Sequence, residues 1–190
     1  MPISLPDPAP WVEVPVSRPL WRVHRSALDP LWFGPGARAA GRFDDPDLRF
    51  GVCYLGETPG VAVLETLVRG AARCVVDRAE WASRSVTRVR LARKLRMLQF
   101  EGERLPEFGI GADRAHAGTY GECQRLSAEV HATLPRLDGI QFRSRWDPSR
   151  LCWALFDRAA SRIAGTDPPE PLDGGALGDE VLETYPIVLV

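Results

Sequence analysis

Phe50-Gly51-Val52-Cys53-Tyr54-Leu55-Gly56 runs into Glu57-Thr58-Pro59 and then Gly60-Val61-Ala62-Val63-Leu64-Glu65. Residues 50–55 are a short apolar run next to glycine, which predicts a strand. Thr58-Pro59 starts a helix: a capping hydroxyl, then a proline at the first helical position, where no N–H is needed. That helix is expected to reach about Arg69, with Gly70 able to end it. Val61, Leu64 and Val68 form its inward stripe. Glu65 lies four residues after Val61 and three before Val68, so it shares part of that side. A carboxylate there needs a partner or water. The plainer alternative is a pair with Arg69 on the same helix, worth only a few tenths of a kcal/mol.

Upstream, residues 29–49 form a long Gly- and Pro-rich loop, and loops of that length are often functional. It carries Gly41-Arg42-Phe43-Asp44. Trp32 and Phe33 in the same loop suit either a stacking wall or a pair of loop anchors. Residues 20–25 alternate as a strand, with Leu20, Arg22 and His24 on one side. Residues 1–17 are Pro-rich and read as an extended arm ahead of a domain spanning 18–190.

Downstream, strands are expected at 85–91 and 95–99, and 106–117 is turn-rich. Thr119 with Glu122 has the form of a capping box, and Leu126, Val130 and Leu134 repeat as on an amphipathic helix. Strands at 139–145 and 151–156 flank the Asp147-Pro148 turn. Residues 165–178 read as a loop or linker, and 185–190 as a closing strand. Strands with a few inserted helices, without regular alternation, argue an α+β fold and against a doubly wound sheet.

The chain has 190 residues and a net charge of -1, enough for one domain with a real core. No overall field draws it to nucleic acid or an acidic membrane. It lacks G-x-G-x-x-G, G-x-x-x-x-G-K-[ST] and G-x-S-x-G, so neither common phosphate loop nor the esterase elbow is present. Cys53, Cys74, Cys123 and Cys152 include no C-x-x-C and read as buried thiols. His24, His116 and His131 show no ligand spacing, so no metal is expected. No stretch approaches a membrane span, and the cytoplasm is the default location.

Five pieces in order resemble the RES domain family, named for its Arg, Glu and Ser. They are Leu20-Trp21-Arg22-Val23, Gly41-Arg42-Phe43-Asp44, Val52-Cys53-Tyr54-Leu55-Gly56, Ala62-Val63-Leu64-Glu65 and Gly139-Ile140-Gln141-Phe142-Arg143-Ser144-Arg145. Leu151–Phe156 fits the apolar strand that follows the serine. Two positions depart from the family pattern. Asp44 stands where asparagine is common, and Phe142 where tyrosine is frequent.

The resemblance implies a toxin of a bacterial toxin–antitoxin pair with a fold similar to ADP-ribosyltransferases: small mixed sheets and inserted helices around a cleft. NAD would be the substrate rather than a cofactor, cut between nicotinamide and ribose. Phosphorolysis, with inorganic phosphate as co-substrate, is the expected outcome. Transfer of ADP-ribose to a protein, or a nucleotide-binding domain without turnover, are the alternatives. The implied partner is an Xre-type helix-turn-helix antitoxin that blocks the cleft in a hetero-oligomer. Glu65 and Arg22 would be catalytic: Glu65 stabilises the positive charge that develops on the sugar, and Arg22 clamps phosphate or ribose. Arg42 would hold pyrophosphate or phosphate, Tyr54 would pack on the nicotinamide ring or orient the ribose, and Ser144 would bond to the ribose or amide. In a regular strand Arg143 and Arg145 point away from Ser144, toward another layer or solvent.

Overall fold

The computed structural model describes residues 3–34, 36, 38–68, 74–111, 113 and 120–190. In chain order the elements are β1 (Trp11–Val14), β2 (Leu20–Arg25), β3 (Val52–Gly56), α1 (Pro59–Leu67), β4 (Val75–Val76), α2 (Arg78–Ala82), β5 (Arg84–Leu91), β6 (Leu95–Gln99), α3 (Gly121–Thr133), β7 (Gly139–Arg143), β8 (Leu151–Phe156), β9 (Ile163–Thr166), β10 (Glu170–Pro171), α4 (Ala176–Thr184) and β11 (Val188–Leu189). Short 3₁₀ turns occupy Gly102–Phe108 and Asp157–Arg162.

The α+β expectation holds, but the small sheets do not. Among the described residues one nine-stranded mixed sheet runs β1-β6-β7-β8-β3-β2-β5-β10, with β9 also on β5. Its one parallel pair is β6 with β7. A separate two-stranded sheet pairs β11 with β4.

Strand alternation sorts the core. Cys53 and Leu55 of β3 share one face with Trp153 and Leu155 of β8, all at most 3% exposed. Ala154 and Phe156 face the other way, against α3 and the Phe43–Phe100–Phe108 ring cluster. A third cluster gathers α1, α2 and α4 over Val23 and Val86. Each fully buried aliphatic or aromatic side chain in these clusters contributes about 1.5–3 kcal/mol.

α1 forms as its sequence directs. The Thr58 hydroxyl accepts from the Val61 N–H at 3.2 Å, Pro59 opens the helix, and Val61, Leu64 and Val68 are buried. Gly56 lets the helix lie against the strand, because a Cβ there would come within 2.7 Å of the Ala62 nitrogen. Gly70 and Thr119 lie outside the described residues, and α3 begins after Tyr120 without a side-chain cap.

Three further readings are corrected. The arm contributes β1, antiparallel to β6 from Trp11↔Leu98 to Val14↔Leu95, so it is an edge strand of the main sheet. Residues 165–178 are not a linker: they hold the end of β9, all of β10 and the start of α4. Gly178 hid that helix, since glycine disfavours helix; here a Cβ would collide with the Leu172 carbonyl, so close packing requires glycine. The strand expected to reach Arg145 ends at Arg143.

Candidate active site

β2 and β3 meet at a single pair, Trp21 with Gly56, although β3 pairs over five residues with β8 and β2 over six with β5. Beyond that pair the sheet splits. A cleft of about 390 Å³ opens there, lined by β2, β3, α1 and the long loop. Arg22 follows the last shared pair and spans the split. Its Nη1 donates to the Tyr54 carbonyl at 3.2 Å and its Nη2 to the Trp32 carbonyl at 3.1 Å. The guanidinium thus takes the Tyr54 carbonyl, an acceptor on β3 that the pairing with β2 leaves open, and ties it to the loop carbonyl of Trp32. Its Nε is buried without a hydrogen-bond partner among the described residues.

Glu65 enters the cleft from α1. Its Oε1 accepts from the Ser144 hydroxyl at 2.7 Å and from the Arg145 N–H at 3.0 Å. Oε2 has no hydrogen bond from a described residue, and Glu65 is half-buried. The partner that an inward carboxylate needs is therefore supplied across the sheet, by residues 79 and 80 positions away. Arg69, the alternative partner, lies outside the described residues.

Ser144 is fully buried and does not line the cleft. Its Oγ donates to Glu65 and accepts from the Trp146 and Asp147 N–H groups, each at 3.2 Å. A serine that takes the N–H groups two and three residues on closes a turn, which is why β7 stops at Arg143. With the strand ended, alternation no longer governs Arg145. Instead of facing away, its side chain lines the cleft, 4.6 Å from the Trp146 ring centroid, with Nη1 donating to the Tyr120 hydroxyl at 3.3 Å. Arg143 does turn elsewhere, to Glu101 and the Pro148 and Ser149 carbonyls.

The Arg42 loop is held by Asp44 and Tyr54. Asp44 Oδ2 accepts from the Ala40 and Gly41 N–H groups at 3.0 and 2.7 Å, and its Oδ1 from the Tyr54 hydroxyl at 2.8 Å. Tyr54 in turn accepts from the Phe43 N–H at 2.8 Å. Three donors converge on one acid, which suits an acceptor-only carboxylate. Burial, then the neighbouring Asp44 charge, holds the Tyr54 phenol well above its usual range, so it remains a donor. Gly41 is required, because a Cβ would collide with the Tyr54 hydroxyl. From α3, Gln124 donates to the Gly41 carbonyl and Ser127 to that of Phe43.

This clamp presents Arg42. Its residue is 6% exposed, and its guanidinium lies 5.3 Å from the Phe142 ring centroid and 6.0 Å from those of Phe43 and Tyr120. It has no hydrogen bond or ion pair to a described residue. Aromatic faces offset part of the cost of burying such a charge, and an anion would offset more. Cys152 also lines the cleft, but burial pushes its thiol well up, which makes it a poor nucleophile.

Arg22, Arg42, Tyr54 and Glu65 therefore converge on one cleft, with Ser144 directly behind Glu65. The sequence reading did not single out Arg145, Tyr120 or the cleft-lining His24. The Asp147-Pro148 turn was the available signal for Arg145, since a turn so close ends the strand early. Nothing local marked Tyr120.

A model of the RES domain matches residues 19–173. No curated protein matches the chain. Among solved structures, a chain of the M. tuberculosis MbcT–MbcA toxin–antitoxin complex shares the fold, with a TM-score of 0.58 at 14% identity, over 82% of this chain and 85% of that one. The family model spans most of the chain and covers Arg22, Arg42, Tyr54, Glu65 and Ser144, so this protein belongs to the RES domain family.

Proposed function

We propose that the protein is the toxin of a toxin–antitoxin pair and consumes NAD in the cytoplasm by cleaving its nicotinamide–ribose bond, with inorganic phosphate as acceptor. The observation that carries this reading is one carboxylate fixed by two donors in a cleft that also holds a buried guanidinium with no ion pair to a described residue.

In the reaction, the bond between the ribose carbon and the nicotinamide nitrogen breaks. Its electron pair leaves on the nitrogen, so the charged pyridinium departs as neutral nicotinamide. Positive charge develops on the sugar. Glu65 Oε1 is already committed to Ser144 and Arg145, which leaves Oε2 to face that charge, and a preorganised carboxylate stabilises it. A phosphate oxygen then bonds to the same carbon, giving ADP-ribose 1″-phosphate. Arg42 suits the incoming phosphate or the pyrophosphate, since a guanidinium meets either with paired hydrogen bonds. Arg22 and Arg145 add positive charge along the wall. The fold shared with a chain of a toxin–antitoxin complex supports the toxin reading, and a small Xre-type helix-turn-helix antitoxin seated over the cleft would block it.

The test follows NAD with purified, partner-free protein, with and without inorganic phosphate, by product mass. An ADP-ribose phosphate product that requires phosphate supports phosphorolysis. Phosphate-independent loss points to water or a protein as acceptor. No loss, with NAD still bound, leaves a nucleotide-binding domain without turnover.

A further inference from the structure

The mouth of the cleft carries an exposed indole. Trp32 lines the cleft and is 54% exposed. Its neighbours Leu31 and Phe33 pack on the buried core under β3 and β8, so the chain on both sides of it is anchored. Arg22 holds its carbonyl at 3.1 Å, and the Asp29 carboxylate accepts from the Leu31 N–H at 2.7 Å. The indole edge lies over Gly34 and Gly36, where a Cβ would sit 3.6 and 4.0 Å from it. The other aromatic rings of the lining, Tyr54, Tyr120 and Phe142, are half-buried or buried.

We propose that Trp32 is the stacking platform for the purine ring of the substrate, which makes it the residue that selects a purine dinucleotide over a mononucleotide. The inference rests on the reading of NAD as substrate. At about 390 Å³ the cleft is near the lower end of small-molecule pockets, roughly 300–1,000 Å³. Two nucleosides joined by pyrophosphate exceed a drug-sized ligand, so one end must lie at the mouth. The reacting ribose belongs at Glu65 and the phosphates at the arginines, which brings the far base to the rim. A base stacked on an exposed ring needs only a π-face, and Trp32 offers one on a backbone already held in place.

The experiment measures ADP-ribose binding by calorimetry to the wild type and to Trp32→Ala, Trp32→Leu and Trp32→Phe, with thermal midpoints as the check on folding. ADP-ribose keeps the purine and phosphates and lacks nicotinamide, so binding reports on Trp32 whether or not NAD is cleaved. Alanine and leucine should weaken binding about 5- to 150-fold, the span of one stacked base. Phenylalanine, which keeps a π-face, should stay within about 5-fold of wild type. With NAD as substrate the alanine variant should raise KM by a similar factor and leave kcat unchanged. Wild-type affinity in Trp32→Ala overturns the platform while leaving cleavage at Glu65 intact. A Trp32→Leu variant that binds as well as Trp32→Phe also overturns it, because apolar bulk would then suffice. If ADP-ribose fails to bind the wild type, the platform and the NAD reading fall together.

Discussion

The Ser144 hydroxyl lies 2.7 Å from Glu65 Oε1 and donates to it, joining the end of β7 to the last turn of α1. The same oxygen accepts the Trp146 and Asp147 N–H groups, so its proton can point only at the carboxylate. Ser144 is thereby a positioning residue: it sets which Glu65 oxygen is free and where that oxygen sits.

Removing the hydroxyl should therefore act on rate more than on binding. Ser144→Ala frees Glu65 to rotate and leaves two N–H groups without their acceptor. Misplacement of a reacting group by about 1 Å costs on the order of 100-fold. We expect kcat for nicotinamide release to fall about 10- to 100-fold with KM within about threefold. A variant whose KM rises while kcat holds would instead make Ser144 a direct ligand contact.

Tyr54→Phe separates two roles for one ring. The hydroxyl ties the Phe43 N–H to Asp44, and the ring lines the cleft. Phenylalanine keeps the ring and leaves a buried donor unmet, which costs about 1–3 kcal/mol. Thermal unfolding should show that loss, and phosphate or nucleotide affinity should fall as the Arg42 loop loosens. Unchanged stability and affinity would mean that only the ring matters.

Arg42→Met should trade function for stability. The guanidinium is buried among Phe43, Tyr120 and Phe142 without a described ion-pair partner. An apolar side chain of similar length removes the desolvation cost. The thermal midpoint should stay or rise while anion affinity drops at least tenfold. A sharp loss of stability would contradict the reading of Arg42 as a ligand-holding charge.

Asp45 sets an acid limit on the fold. Its carboxylate is buried and accepts from the Arg49 N–H at 2.6 Å, Nε at 2.9 Å and Nη2 at 2.9 Å. The Arg49 side-chain bonds, chiefly, hold its carboxyl below the ordinary range. In the unfolded chain it titrates near 3.9, so as pH falls the unfolded chain takes up the proton first. Its contribution is complete above that value and is lost as pH falls through the lower folded one. Asp45→Asn should lower the midpoint by a few degrees at pH 7, on the order of 2–4 °C. That gap should narrow toward pH 3 in parallel thermal melts. A gap independent of pH would rule out titration of Asp45 as its source.

Much of the site was legible because local rules coincide with the fold around it. Thr58-Pro59 and the Val61, Leu64 and Val68 stripe fix both the helix and the side on which Glu65 lies. The alternation in residues 20–25 likewise places Arg22 and His24 together. What was illegible depends on contacts made far along the chain. The split between β2 and β3 has no local signature, since each strand is regular and only their mutual pairing fails. Ser144 reads as an ordinary strand serine until its oxygen meets Trp146 and Asp147, and the path of Arg145 follows from that turn. β10 has two residues, one of them proline, and α4 contains Gly178, so neither offers a periodicity to detect. Asp44 reads as a departure from the family pattern. In place, its two oxygens answer two N–H donors of the Arg42 loop and the Tyr54 hydroxyl of β3.

The most direct measurement is nicotinamide release from NAD by the wild type and by Glu65→Gln, with ADP-ribose affinity measured on both. Glutamine keeps an oxygen for Ser144 and Arg145 but carries no charge toward the sugar. Release should fall about 100- to 1,000-fold, the loss expected when one preorganised electrostatic group is removed, while ADP-ribose affinity stays within about threefold. A Glu65→Gln protein that releases nicotinamide at the wild-type rate would contradict charge stabilisation by Glu65 as the source of the chemistry.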